Sequence, residues 1–137
     1  MEAIPTAVLD RIREAFPEAQ AVWVFGSFAT EDAGPGSDLD LAILLPPGFH
    51  ADVNVLYQLR NTLVATAGRE VDLISLREAP SVFANEIVST GVLLWQSRTR
   101  PVEEFEMHVL SLWQKLNEER AGILEDILAT GRILSHG

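Results

Sequence analysis

Five residues of this chain have the types and spacing to do chemistry together: Gly26, Ser27, Asp38, Asp40 and Asp72. Gly26-Ser27 closes the apolar run AVWVFG (21–26), and ten residues then separate Ser27 from Asp38. Asp38 and Asp40 open a second apolar run, DLDLAILL (38–45), and Asp72 is embedded in a third, EVDLIS (70–75). An ionised carboxylate among apolar neighbours is costly unless it is paired or bound to a cation. Three carboxylates brought together offer hard oxygen ligands, which suit Mg²⁺ shared with substrate phosphates. A glycine lets the backbone approach a ligand closely. Free amides at the start of the following turn, with the Ser27 hydroxyl beside them, make an anion site. A triphosphate could then lie between the Gly-Ser turn and cations on the aspartates, where a pair of ions would clamp the attacking and leaving oxygens of an in-line displacement. Each piece alone has an ordinary reading: a turn, a strand-start Asp-x-Asp, a strand-edge acid. Their conjunction carries the functional one.

The elements that must position these residues can be read from periodicity. Residues 5–16 predict a helix with Pro5 in its first turn, Val8, Ile12, Ala15 and Phe16 at helical spacing, and Pro17 as its stop. Residues 21–26 predict a buried strand ended by Gly26, with Ser27 as the N-cap of a short helical turn. DAGPGS (32–37) is loop chemistry. Residues 38–45 predict a strand carrying Asp38 and Asp40 on one face, because side chains repeat every second residue. A helix over 51–67 follows, with Val55, Leu56, Leu59 and Leu63 as its inner stripe and Gly68 as its cap. REVDLISL (69–76) reads as a strand and residues 80–90 as a short helix through Val82, Phe83, Ile87 and Val88, ended by Gly91. VLLWQ (92–96) reads as a strand, and residues 102–134 as a long helix that Gly122 and Gly131 could interrupt. The order predicts one α/β (α+β) domain over 1–137, with about four strands in a mixed sheet flanked by helices. If the second and third strands are neighbours, the three acids converge.

The bulk composition narrows the function classes. With 137 residues, 47% apolar and 22% charged, the chain reads as globular and can bury about two-thirds of its unfolded surface. Disulfides and thiolate zinc sites are excluded, because there is no cysteine. No apolar run approaches the ~20 residues of a membrane span, and the segment MEAIPTAVLDRIREAF has no signal-peptide pattern, so a cytoplasmic location is expected. Twenty acids against ten bases give a net charge of −10, a field that disfavours nucleic-acid backbones and favours divalent cations or a basic partner.

The segment GSFATEDAGPGSDLDLAI (26–43) matches, at its fixed positions, the Gly-Ser, ten residues, Asp-x-Asp signature of the minimal nucleotidyltransferase proteins. The chain thus resembles the DNA polymerase β-like nucleotidyltransferase superfamily, through EVDLISL and into the helical tail. Within it, the likeness is to antitoxins paired with a HEPN-domain ribonuclease toxin. The resemblance implies transfer of AMP from ATP to a tyrosine of the toxin, with release of pyrophosphate and formation of a hetero-oligomer. It implies Asp38, Asp40 and Asp72 as ligands of a pair of Mg²⁺ ions, Asp72 also as a possible base for the attacking hydroxyl, and Gly26 and Ser27 as phosphate holders. Many relatives place an arginine after Gly-Ser, where this chain has Phe28. Arg13, Arg60, Arg69 and Arg77 are the candidates to supply a cation from elsewhere. Two other readings are compatible with the motif: an antitoxin that acts by occlusion without catalysis, and a small-molecule nucleotidyltransferase, which a chain this short disfavours.

Other residues have ordinary readings. His50, His108 and His136 fit surface positions, and Trp23, Trp95 and Trp113 fit the core. EEFE (103–106) reads as acid at a helix start, and NEERAGILEDIL (117–128) as a helix that packs on the sheet or meets a partner.

Overall fold

The computed structural model describes residues 4–30, 33–34 and 36–129, with side chains as far as residue 123. Helix α1 (Thr6–Ala15) leads into β1 (Ala21–Phe25), a 3-10 turn (Gly26–Ala29) and β2 (Leu39–Leu44). Helix α2 (Val53–Ala67), β3 (Val71–Ser75), a second 3-10 turn (Leu76–Glu78), α3 (Ser81–Thr90), β4 (Val92–Gln96) and α4 (Thr99–Ala129) complete the order.

The four strands form one mixed sheet in the order β3-β2-β1-β4. β1 is antiparallel to β2 and β4, and β2 is parallel to β3. A parallel pair needs a crossover, and α2 provides it. One face of the sheet packs Val22, Val24, Leu41 and Ile43 against Val8, Ile12, Leu59 and Leu63 of α1 and α2. The other packs Ala21, Trp23, Ala42 and Leu44 against Ala84, Ile87, Val102, Phe105 and Val109 of α3 and α4. β2 is covered on both faces, which is why its sequence becomes wholly apolar after Asp40.

The local chemistry explains the boundaries. Pro5 is the N-cap of α1 rather than part of its first turn, because its ψ of 137° is not helical. Asp52 caps α2 by accepting from the Asn54 amide at 2.7 Å. Gly68 ends α2 in the left-handed region at φ 71°, as the sequence predicted. α4 starts at Thr99, three residues before the predicted start, and runs unbroken through Gly122. Glu103, Glu104 and Glu106 therefore lie beyond its first turn, and Glu104 pairs with Arg100 at 2.8 Å instead of serving the helix end. Gly131, His136, the predicted helical residues 130–134, and Glu31 and Asp32 of the spacer lie outside the described residues.

Several core expectations shift. Trp23 is buried, but Trp95 and Trp113 are only half-buried, and Arg13 stacks over Trp95 at 4.7 Å. Val55, Val82 and Phe83 are exposed, while Leu59 and Leu63 of α2 and Ala84 and Ile87 of α3 face inward. His50 and His108 are exposed, as predicted.

Candidate nucleotide and metal site

β1 delivers its C-terminal end beside the start of β2, with Phe25 opposite Asp40 in the antiparallel register. The chain then turns at Gly26, whose φ of +70° is the left-handed region that a side chain would strain. A Cβ there would also collide with Oδ2 of Asp40. The glycine is thus required twice, and its backbone lies directly against the Asp40 carboxylate. Ser27 does not cap the turn: the N-cap is Phe25, no side chain bonds the turn's amides, and Ser27 sits inside it. The Ser27 hydroxyl therefore makes no hydrogen bond that caps the turn.

β3 lies parallel to β2, and Asp72 is the register partner of Asp40. The convergence expected from neighbouring strands is thus met for these two acids. Asp38 precedes β2 and is exposed, so it flanks the pair from a loop rather than from a strand face. Burial pushes the Asp40 carboxyl above the usual carboxylate range, and the charges of Asp72 and then Asp38 push it further. Among the described residues, no three His, Cys, Asp or Glu side chains are already gathered around one point as a cation cage. Mg²⁺ usually takes one or two carboxylates plus substrate phosphates and water. An open array of acids beside a glycine turn fits that habit, and a closed cage does not fit it better.

Of the four candidate arginines, Arg69 reaches the site's loop. Its Nη1 donates to Gly34 O at 3.1 Å and to Ser37 O at 2.9 Å. Its guanidinium lies over the Phe28 ring at 4.8 Å. Phe28, the residue directly after Gly-Ser, is 1% exposed and belongs to the core. The turn therefore has an apolar anchor, and a cation returns to it from the start of β3. The same loop is held by the Gly34 amide donating to Ser37 Oγ at 2.9 Å and by the Leu39 amide donating to Glu70 O at 2.9 Å. The other three arginines work elsewhere: Arg13 on Trp95, Arg60 with Glu70 at 3.0 Å, and Arg77 with the carbonyl of Leu45, at the opposite end of β2. Sequence reasoning had all four as equals, because nothing in spacing says which face of a turn a distant cation reaches.

The family described as "Polymerase beta, Nucleotidyltransferase" matches residues 9–100, and the chain belongs to it. The match spans both strands that carry Asp40 and Asp72 and the Gly26 turn that precedes them. Over 129 residues the chain is 28% identical to the protein adenylyltransferase MntA of Shewanella oneidensis, covering 94% of this chain and 91% of that protein. A chain of a solved toxin–antitoxin structure with AMP-PNP superposes with a TM-score of 0.76 at 28% identity, over 90% of this chain and 97% of that one. A second solved structure, of tri-AMPylated Shewanella oneidensis HEPN toxin in complex with MNT antitoxin, gives 0.71 at 27% identity over 90% and 94%.

Proposed function

We propose that this protein transfers AMP from Mg-ATP to a tyrosine hydroxyl of a HEPN-family toxin and so neutralises it, within a hetero-oligomer. The observation that carries the reading is the pairing of Asp40 with Asp72 on adjacent strands, with the Gly26 backbone pressed against Asp40. The adenylyltransferase relative and the AMPylated toxin complex supply the acceptor class. ATP as the donor agrees with the AMP-PNP complex of a similar chain.

In this reading, the amides of the turn after Gly26 and the Ser27 hydroxyl bind the β- and γ-phosphates. Asp38, Asp40 and Asp72 hold Mg²⁺, in a pair of sites as the acids on loop, β2 and β3 allow. When bound, Mg²⁺ supplies Lewis-acid stabilisation of the charge on the transferring phosphoryl group. Asp72 faces the acceptor side, orients the tyrosine hydroxyl and takes its proton. The phenolic oxygen forms a bond to the α-phosphorus, the bond from that phosphorus to the bridging oxygen breaks, and pyrophosphate leaves. Arg69 keeps the loop before Asp38 in register by holding Gly34 and Ser37.

Helix α4 supports a partner surface. Its stripe Val102, Phe105 and Val109 is buried on the sheet, and the same stripe continues past it through half-buried Trp113 and Leu116 to exposed Ile123. A docking helix would serve occlusion as well as catalysis. Incubating the protein with ATP, Mg²⁺ and its HEPN partner, then weighing the intact partner, separates the two. Added AMP units support transfer; an inhibited partner of unchanged mass supports occlusion.

A further inference from the structure

Gln20 before β1, Pro47 after β2, Arg77 after β3 and Arg98 after β4 line one hollow of about 360 Å³. Arg100, Pro101 and Glu104 of α4 complete its wall. This is the end of the sheet away from the three acids, since β1 enters here and β2 and β3 leave here. From Asp40 to Leu45 is about 16 Å at about 3.3 Å per residue, beyond the Debye length of about 8 Å at physiological salt. Exposed charges at the two ends are therefore largely screened from each other.

The hollow is cationic on an acidic chain: three of the ten basic residues meet there against one acid. Arg77 is half-buried, and its hydrogen bonds go to neutral oxygens. Its Nε donates to Leu45 O, and its Nη2 to Gln20 Oε1 at 3.1 Å. Burial pulls Arg77 below the usual guanidinium range, and Glu104 offsets this only in part. Glu104 is already engaged, because its Oε1 accepts from Arg100 Nε at 2.8 Å. The Arg98 side chain makes no hydrogen bond or ion pair among the described residues. Arg98 and Arg100 also stand at the start of α4, where the helix dipole favours acids, and the first turn of that helix has none. Gln20 is fixed between strand ends: its amide donates to Leu44 O at 2.7 Å, and its carbonyl accepts from the Ser97 amide at 2.9 Å. With Oε1 given to Arg77, its side-chain N–H groups are left to donate.

We infer that this hollow binds a small phosphate-class dianion, held by the guanidinium groups of Arg98 and Arg100 with Arg77 and the Gln20 side chain behind them. Three cations less one acid leave a charge of +2, which one phosphate dianion balances and a single carboxylate does not. Guanidinium forks match phosphate oxygens bidentately. A long polyanion is disfavoured by the net charge of −10 on the chain, whereas a compact anion meets only the local field. Inorganic phosphate and pyrophosphate share the required chemistry. Bound there, either ties the start of α4 to the ends of β1 and β3. Such a site needs no Mg²⁺, and it holds whether or not the chain transfers AMP.

The test uses the full chain in chelator and sulfate-free buffer, so that no metal holds phosphate at the acids. Titration calorimetry with inorganic phosphate, and separately with pyrophosphate, is expected to show one site per chain. The double variant Arg98→Gln, Arg100→Gln changes exposed side chains and is expected to bind about tenfold more weakly or worse, with Tm in the absence of anion little changed. Asp38→Asn, at the other end of the sheet, keeps the wild-type affinity within about twofold. Saturating anion raises the wild-type Tm by a few degrees through mass action and slows amide exchange over residues 98–104. The tighter of the two anions names the source, and either one supports the site. No binding of either anion tighter than about 1 mM, or equal binding by the double variant, overturns it. Binding that Asp38→Asn abolishes and the double variant keeps belongs to the acids and overturns it as well. So does a double variant that loses the HEPN partner while the wild type binds neither anion, which assigns the arginines to an acidic segment of that partner.

Discussion

Asp40 sits half-buried beside two other acids, so the fold holds its carboxyl above the usual range for reasons of burial first and of Asp72 and Asp38 second. The sign of the consequence follows from linkage. A raised folded-state value means that stability is full where the group is protonated and is lost as pH rises through that value. Asp40→Asn therefore raises Tm in chelator at neutral pH, and its advantage over wild type grows from acid to neutral pH and then levels off. Mg²⁺ with ATP analogue raises the wild-type Tm by mass action and leaves Asp40→Asn nearly unmoved. A melting series with and without metal checks both. Arg69 gives a second prediction at this scale. Arg69→Met keeps an apolar side chain beside Phe28 but loses the guanidinium that holds Gly34 and Ser37, and transfer falls about tenfold or more while Tm drops by only a few degrees. An unchanged kcat in that variant removes Arg69 from the positioning of the loop.

At the scale of elements, the strands were legible and the turn between them was not. AVWVF and LDLAIL are short apolar runs bounded by loop residues, and such runs specify buried strands wherever they pair. DLDL also singled out its candidate ligand, because an acid breaks the pattern of a strand that is otherwise covered on both faces. Ser27 looked like an N-cap because serine so often is one, yet a glycine at φ +70° sets the turn instead and leaves the hydroxyl out of it. Phe28 looked like a missing cation. Its burial is a tertiary fact: the turn packs against β1 and β2, in the core cluster that α1 and α2 complete, and nothing within the ten-residue spacer announces it. Phe28→Ala is accordingly expected to cost about 3–5 kcal/mol, the usual range for a buried aromatic, and to loosen the Gly-Ser turn with it. Denaturant melts read the first effect, and AMP-PNP affinity reads the second. The place of β3 at the end of the sheet was also illegible, since strand order depends on which partners meet rather than on any one strand's sequence.

Over the whole molecule, charge is sorted by end. The acids Asp38, Asp40 and Asp72 meet where β1 stops and β2 and β3 start. Arg77, Arg98 and Arg100 line a separate hollow of about 360 Å³ with Gln20 and Glu104, at the other end of β1 and β2. No described helix is long and apolar enough to cross a membrane. The end that carries the three acids is thus a negative mouth, with a field of the sign that suits divalent cations and basic segments. The apolar stripe of α4 past Val109 belongs to the same scale, because it has no sheet beneath it. Trp113→Asp is predicted to weaken association with the HEPN partner by about tenfold or more without lowering Tm, as titration calorimetry beside a melt would read.

The central claim is that Asp38, Asp40 and Asp72 are the machinery of AMP transfer. Its most direct measurement is the intact mass of the HEPN partner after incubation with ATP and Mg²⁺, using wild type, Asp38→Asn, Asp40→Asn and Asp72→Asn, each shown to be folded. The wild type is predicted to add one or more AMP units and the three variants none. Addition at the wild-type level by the variants, or an unmodified partner in the presence of folded wild type, would contradict it.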